Sequence, residues 1–349
     1  MYKYEHFIPQ NTAPKGAKKL GVYDSNGNKV CTVPLGRLTP VNKAKLYSVG
    51  IVADVHFAHV NTVVWTPHTK FDNALTHFEN QGCVFCCNCG DMTQTGFYHE
   101  GDTQTLQTYQ FEQYKAICDA HNIPVYELCG NHESYVSDIT NNISELATYA
   151  GAEMYYSVTQ GDDVYLFLSQ PSATVPMTDA ALQWCYETLE ANRNKRCFIF
   201  VHPYLDSGNV SNLYGNDIFS WWGNKGTAFK NLLKHYKNTI LFHGHSHFIF
   251  ECQELDETVN YNESTGFKSV HIPSLSRPAF VTDGVRDGDD SMSYGYLMDV
   301  YDDCIVLNGI NFINNEYVPL GVFKIDTTLQ TIEAGAFTDS TGIITLQGG

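Results

Sequence analysis

Nowhere in its 349 residues does the chain carry an uninterrupted apolar run near the ~20 residues that a membrane-spanning helix requires, so no membrane partner is expected. The opening MYKYEHFIPQ lacks a basic head followed by an apolar stretch; no secretory signal is read there, and a cytoplasmic location is the expectation. Basic residues are scarce, with Lys+Arg at 21 against 38 Asp+Glu and a formal net charge of −17. A field of that sign repels nucleic-acid phosphate and disfavours a DNA- or RNA-coating role. Cysteine is present but lacks a pairing pattern. Eleven irregularly spaced residues, an odd number, fit free thiols in a reducing compartment better than a disulfide framework. Fixed-period repeats and low-complexity blocks are absent as well. What the chain does have is a 43% hydrophobic share and length enough for a deep core.

Charge is unevenly spread. Residues 1–46 hold Lys3, Lys15, Lys18, Lys19, Lys29, Arg37, Lys43 and Lys45 against only Glu5 and Asp24, a basic appendage on an acidic body. It reads either as a solvated flank or as a surface for a protein partner or self-association. Around Asn26-Gly27, the runs Leu20–Tyr23 and Lys29–Val33 predict a β-hairpin, and Gly36–Pro40 a linker. From Leu46 onward short apolar strands alternate with helical stretches, an α/β pattern. Strands are predicted at Leu46–Ala53, Cys83–Asn88, Pro124–Leu128, Val164–Ser169, Cys197–Val201 and Thr239–Phe242. Helices are predicted at Lys70–Gln81, Thr105–His121, Asp179–Ala191 and Thr227–Tyr236. Beyond residue 247 only strand-like runs follow, at Phe248–Cys252, Lys268–Ile272, Tyr294–Tyr301, Ile305–Ile310 and Val318–Ile325, which suggests an antiparallel portion.

Metal-ligating residue types recur just after the predicted strands, where α/β folds place their sites. The first strand leads into Asp54-Val55-His56, the second into Gly90-Asp91, and the third into Gly130-Asn131-His132-Glu133. The fifth leads into His202 and the sixth into Gly244-His245-Ser246-His247. Each fragment alone is an ordinary turn or a structural histidine. Five in this order, all at strand ends, are not explained by chance.

With these five fragments in hand, residues 47–310 resemble the calcineurin-like metallophosphoesterases, whose pattern is DxH, GD, GNH(D/E), H and GHxH. The resemblance implies a four-layer α/β sandwich of two mixed β-sheets flanked by helices, here with a small N-terminal β appendage (1–46) and a C-terminal strand and tail (311–349). It also implies one metal held by Asp54, His56 and His247, a second held by Asn131, His202 and His245, and Asp91 bridging them. His132 would stand over the substrate. The residue types agree, since imidazole, carboxylate and amide oxygen suit Mn, Fe, Zn or Co. Two such cations can share a hydroxide for in-line attack on phosphorus. His132, next to a ligand, can then assist the leaving group, with Glu133 orienting or charge-stabilising its ring.

Departures from the family pattern narrow the expectation. Gln94 stands where many relatives carry a second acid after the GD fragment, which puts the support around the metals in doubt. Protein serine/threonine phosphatases share GNHE but carry arginines where this chain has Gln94-Thr95-Gly96 and Cys129, so their guanidinium clamp for a phosphomonoester is missing. Purple acid phosphatases place a tyrosine ligand at the position of Gln94, and 5′-nucleotidases add a large domain for which too few residues follow His247. The chain is most similar to the phosphodiesterase-like branch, typified by cyclic-nucleotide and glycerophosphodiester enzymes. A small phosphoester substrate is expected. A phosphomonoesterase, or a docking component of a larger assembly built on an esterase domain, is the alternative. A pure metal-binding module is a further one, which His132 between ligand and acid argues against.

Other features invite misreading. Cys83, Cys86, Cys87 and Cys89 look like a metal cluster, but a strand sends alternate side chains to opposite faces, so they read as small buried hydrophobes. His59, His99 and His243 lie near the fragments and are read as structural or supporting. Trp221-Trp222 falls in a predicted long loop, Asp206–Gly226, where it either stacks on substrate or anchors the loop. Asp283–Asp290 reads as an acidic solvated loop, with surface calcium as the outside reading.

Overall fold

Short runs rich in aromatic and β-branched residues set the strands, and their burial shows which are covered on both faces. The computed structural model describes residues 19–23, 29–34, 41, 43–58, 66–94, 104–134, 154–172, 174–205, 219–254, 258–282 and 285–346. β1 (Lys19–Tyr23) and β2 (Lys29–Pro34) pair antiparallel as the hairpin expected there, and β2 lies against the last strand of the body. The Gly36–Pro40 linker, His59 and His99 lie outside the described residues.

The body holds two six-stranded sheets. One contains β3 (Tyr47–Val52), β4 (Cys86–Asn88) and β5 (Val125–Glu127) in parallel. The other contains β7 (Asp163–Leu168), β8 (Cys197–Val201), β9 (Thr239–His243) and β11 (Lys268–His271), also parallel, with β6 (Tyr155–Gln160) and β10 (Tyr261–Asn262) as antiparallel edges. A hairpin of β12 (Ala279–Thr282) and β13 (Val285–Gly288) follows. Then β14 (Tyr294–Val300), β15 (Cys304–Asn311) and β16 (Glu316–Asp326) extend the first sheet antiparallel from β3.

The sheets face each other across an aromatic core. Phe167 stacks on Phe200 at 5.1 Å between centroids, and Phe200 on Phe242 at 4.8 Å, one ring from each of β7, β8 and β9. On the outer faces, α1 (Pro67–Asn80) and α2 (Gln104–Ala120) cover the first sheet through Phe71, Ala74, Leu75, Phe78 and Phe111. α3 (Asp179–Ala191) and α4 (Phe219–His235) cover the second. The Thr178 Oγ1 accepts the Ala181 N–H at 3.0 Å and starts α3, whose buried face is Ala181, Leu182, Cys185, Tyr186 and Leu189. The expected four layers are therefore present.

Some segments differ from expectation. Phe248–Cys252 is not a strand: after one bridge from Phe248 to Ala279, the chain curls into a 3-10 turn at Phe250–Glu254. Its apolar run is buried in another way. A Cβ on Gly309 or Gly321 would lie 2.8 or 2.9 Å from the Phe250 ring, so that ring fills the space those glycines leave. Of the predicted 206–226 loop, residues 206–218 lie outside the described residues, and the last eight belong to α4, which begins at Phe219 and is interrupted at Gly223. Trp222 is an anchor: it is buried, stacks on Phe229, and donates its indole N–H to the Tyr204 carbonyl at 2.9 Å. Within Asp283–Asp290, residues 285–288 form β13 rather than loop.

Residues 311–346 pack into the body. β16 lies along β15, and Ile332, Phe337 and Ile344 join the core under α3 and α4. Lys43 and Lys45 of the basic flank pair with Asp303 (2.7 Å) and Asp299 (3.0 Å). Among the described residues, no helix is long and apolar enough to cross a membrane.

Candidate metal centre

The parallel strands of both sheets point their carboxyl ends to one edge, and the five sequence fragments meet there. β3, β4 and β5 deliver Asp54, His56, Asp91, Asn131 and His132; β8 and β9 deliver His202, His245 and His247. Turning sharply off the strands strains the backbone. Of seven non-glycine residues with positive φ among those described, five are Asp54, His56, Asp91, His245 and His247. Side chains rarely adopt that conformation, and its concentration at one place marks a functional site.

Two buried donor groups share Asp91. Ligand atoms of Asp54, His56, Asp91 and His247 lie within 4.8 Å of one another, and so do those of Asp91, His202 and His245. Asn131 joins the second, its Oδ1 2.8 Å from His245 Nδ1. All seven sequence-predicted ligand residues are thus brought together, and the His132 Nε2 lies 3.9 Å from Asp91 Oδ2.

The protons on these rings can be placed, because a backbone carbonyl only accepts. His202 Nδ1–H donates to the Cys89 carbonyl (2.8 Å), His247 Nδ1–H to Arg277 (2.9 Å) and His132 Nδ1–H to Gln94 (3.1 Å). Each ring then turns its Nε2 toward the cluster. The Nε2 of His202 faces Asp91 Oδ2 at 3.0 Å, and that of His247 faces Asp54 Oδ1 at 3.1 Å and His56 Nε2 at 3.0 Å. A carboxylate facing such a nitrogen needs a positive charge between them, a ring proton or a metal ion. A metal with bonds of about 2.1 Å sets neighbouring octahedral ligands about 3.0 Å apart, which is the spacing found.

Electrostatics point the same way. Burial pushes the Asp91 carboxyl up, but the His202 and His132 imidazoles outweigh it and hold Asp91 well below the usual carboxylate range. Burial, then the neighbouring His202, drives His245 down to about 3; burial, then His132, lowers His56. At His202 burial also lowers the pKa, yet Asp91 and Asp54 prevail and raise it to about 9, so the cluster draws positive charge to this point. Ionised carboxylates with neutral imidazoles at His56 and His245, and a ring at His202 whose proton a metal would displace, are a metal donor set. The residues fit two cations.

The fragments brace one another. The His245 amide donates to both Asp54 carboxylate oxygens (3.2 and 3.1 Å), and the His132 amide to Asp91 Oδ1 (2.9 Å). Close approach explains the fragment glycines: a Cβ on Gly130 would fall 2.2 Å from Asp91 Oδ1, and one on Gly244 2.7 Å from Asp54 Oδ2. Glu133 has a different task from the expected one. Its carboxylate accepts the amides of Gly130 (2.7 Å), Thr93 (2.8 Å) and Asp91 (3.1 Å), stapling the loop after β4 to the loop after β5. The His132 ring is oriented instead by the Gln94 main chain, so the missing acid at position 94 does not remove that support.

Cys86 packs under the helices while Cys87 and Cys89 enter the inter-sheet core, the alternation expected of a strand. His243 is buried beneath the site, 5.5 Å from His271 between ring centroids. A sixth strand end escaped the sequence reading. The loop Pro273–Pro278 after β11 bonds to Asp54 and His247, and extending the strand-end logic to Lys268–Ile272 would have found it.

The family model described as calcineurin-like phosphoesterase matches residues 47–248. No curated protein matches the chain in sequence. Among solved structures, a dimetal phosphatase from Danio rerio superposes with a TM-score of 0.59 at 13% identity, covering 82% of this chain and 100% of that one. At that identity the likeness is one of fold. The phosphoesterase YfcE from E. coli gives a TM-score of 0.36 at 11% identity, covering 78% of this chain and 96% of that one.

Proposed function

Because the chain belongs to the calcineurin-like phosphoesterase family of hydrolases, we propose that it hydrolyses a phosphodiester, with Asp54, His56 and His247 holding one cation, Asn131, His202 and His245 a second, and Asp91 both. The observation that carries the reading is the set of Nδ1–H bonds to backbone carbonyls, which turns Nε2 atoms inward against two carboxylates. A donor set of nitrogen and oxygen without thiolate suits Mn, Fe or Zn. Such a pair of cations supplies activated water at neutral pH and neutralises charge on the phosphoryl oxygens.

The chain's own groups do the rest. Asp91 is oriented by the His132 amide on one oxygen, leaving the other for the centre. His132 has its Nδ1 committed to Gln94, so Nε2 is the atom that can pass or polarise a proton at the departing oxygen. The diester preference rests on the residues at Gln94-Thr95-Gly96 and Cys129, where a monoester clamp would need guanidinium groups. The test is turnover of bis(p-nitrophenyl) phosphate and of p-nitrophenyl phosphate by protein loaded with Mn²⁺, with metal content measured. Faster turnover of the diester is expected. A monoester preference overturns the diester reading, and no turnover of either with two metals bound overturns the hydrolase reading of this site.

A further inference from the structure

An arginine lies beside the centre, on a segment outside the five fragments, with its main-chain carbonyl on the His247 ring. Residues 273–278 read Pro-Ser-Leu-Ser-Arg-Pro, and nearly every one is tied down. Ser274 Oγ donates to the Asp54 carbonyl (3.0 Å) and accepts the Arg277 amide (2.9 Å); the Leu275 amide donates to the Ala53 carbonyl (2.9 Å). The Ser276 carbonyl accepts the ammonium of Lys70, which is fully buried in α1 and also donates to the Asp290 carbonyl (2.7 and 2.8 Å). The Arg277 carbonyl takes the His247 ring proton, and the next amide but one, Ala279, donates to the His247 carbonyl (2.8 Å). A buried lysine charge spent on two carbonyls marks a segment whose position matters.

We propose that Arg277 is a substrate-binding residue, its guanidinium engaging a phosphoryl oxygen from the Asp54/His56/His247 side of the centre. The residue is half-buried, and its carbonyl holds a ring, that of His247, which faces the cluster. A planar fork of N–H donors matches phosphoryl oxygens in pairs, which a lysine does not. One guanidinium on this side suits the single charge of a diester. The proposal rests on the phosphoester reading, which its test keeps separable.

Inorganic phosphate, the probe, is titrated calorimetrically into Mn²⁺-loaded wild type, Arg277→Ala and Arg277→Lys, with metal content measured and kcat and KM taken for bis(p-nitrophenyl) phosphate. Arg277→Ala keeps the backbone carbonyl that holds His247, so both metals are expected to stay. Phosphate binding weakens about 10–100-fold and KM rises in parallel while kcat changes little; Arg277→Lys recovers part of the loss. Unchanged phosphate binding in metal-replete Arg277→Ala overturns the proposal, as does loss of metal from that variant, which would make Arg277 a support for His247. Failure of loaded wild type to bind phosphate overturns it too. If wild type binds phosphate but hydrolyses neither ester, the hydrolase reading falls while the titration still decides Arg277.

Discussion

Two buried charged clusters tie the sheets together, one at each end of the parallel strands, and they are built on opposite plans. At the amino ends, Arg196 grips Asp163 with two N–H groups (2.9 and 2.6 Å) and donates to the Tyr301 carbonyl (2.7 Å) and Thr327 Oγ1 (2.9 Å), while the Tyr47 hydroxyl donates to the same carboxylate. Donors meet acceptors, charge meets countercharge, and none of these residues has a left-handed backbone. At the carboxyl ends, two carboxylates face inward-turned imidazole Nε2 atoms with strained backbone beneath them. The first cluster is complete in itself and serves as glue. The second is complete only with cations, and that deficit, held in place by the fold, is what a metal centre consists of.

The comparison breaks most sharply at Asp91, the residue common to both donor groups. Asp91→Asn is expected to lose bound metal and to lower phosphoesterase activity by more than about 10³-fold while the melting temperature of the chelated protein stays close to wild type. Elemental analysis that finds both metals retained would sink its bridging role. His132→Ala comes next: kcat should fall about 10²–10⁴-fold with metal content unchanged. Equal turnover in the metal-loaded variant would remove His132 from the reaction.

The other cluster should respond in the opposite currency. Arg196→Met leaves the Asp163 charge buried and unpaired, so the unfolding free energy is expected to drop by about 3–5 kcal/mol with metal stoichiometry of the folded fraction preserved. Denaturant titration against metal analysis separates the two effects, and metal loss without destabilisation would erase the distinction.

The smallest effect sharpens the contrast with a third buried group that belongs to neither cluster. Burial pushes the Glu127 carboxyl up to about 8 from its ordinary 4.5, against the Tyr114 hydroxyl that bonds to it. The folded protein holds a proton there that the unfolded chain has released. Its contribution is therefore fully present below about pH 4.5 and is lost as pH rises toward 8. Glu127→Gln should flatten that part of the melting-temperature profile without touching metal content. An unchanged slope between pH 5 and 8 would show that the carboxyl ionises freely.

Much of the centre is legible in the sequence because each fragment is local. Asp54-Val55-His56, Gly90-Asp91 and Gly244-His245-Ser246-His247 each follow an apolar run, and the strand and the turn that ends it are short-range features. The glycines are legible for the same reason, although why they are needed is not. Phe248–Cys252 shows the limit of that reading, since an apolar run reports burial and not the conformation that achieves it. Glu133 shows another: its neighbour in sequence is His132, but its partners are amides from two different loops.

By itself, then, the sequence determined which side chains stand at the strand ends, and with them the chemistry and the family. The order of fragments encodes that information, and no distant contact is needed to read it. The tertiary structure alone decided how the rings are turned, because the carbonyls of Cys89, Gln94 and Arg277 come from other segments. It also decided that Arg277 and Lys70, more than two hundred residues apart in the chain, serve one loop at the centre, and that Tyr47, Asp163 and Arg196 close the far end. Scarcity of basic charge in the composition points away from a nucleic-acid polymer, and in the fold Lys43, Lys45, Lys70 and Arg196 are engaged within the protein itself.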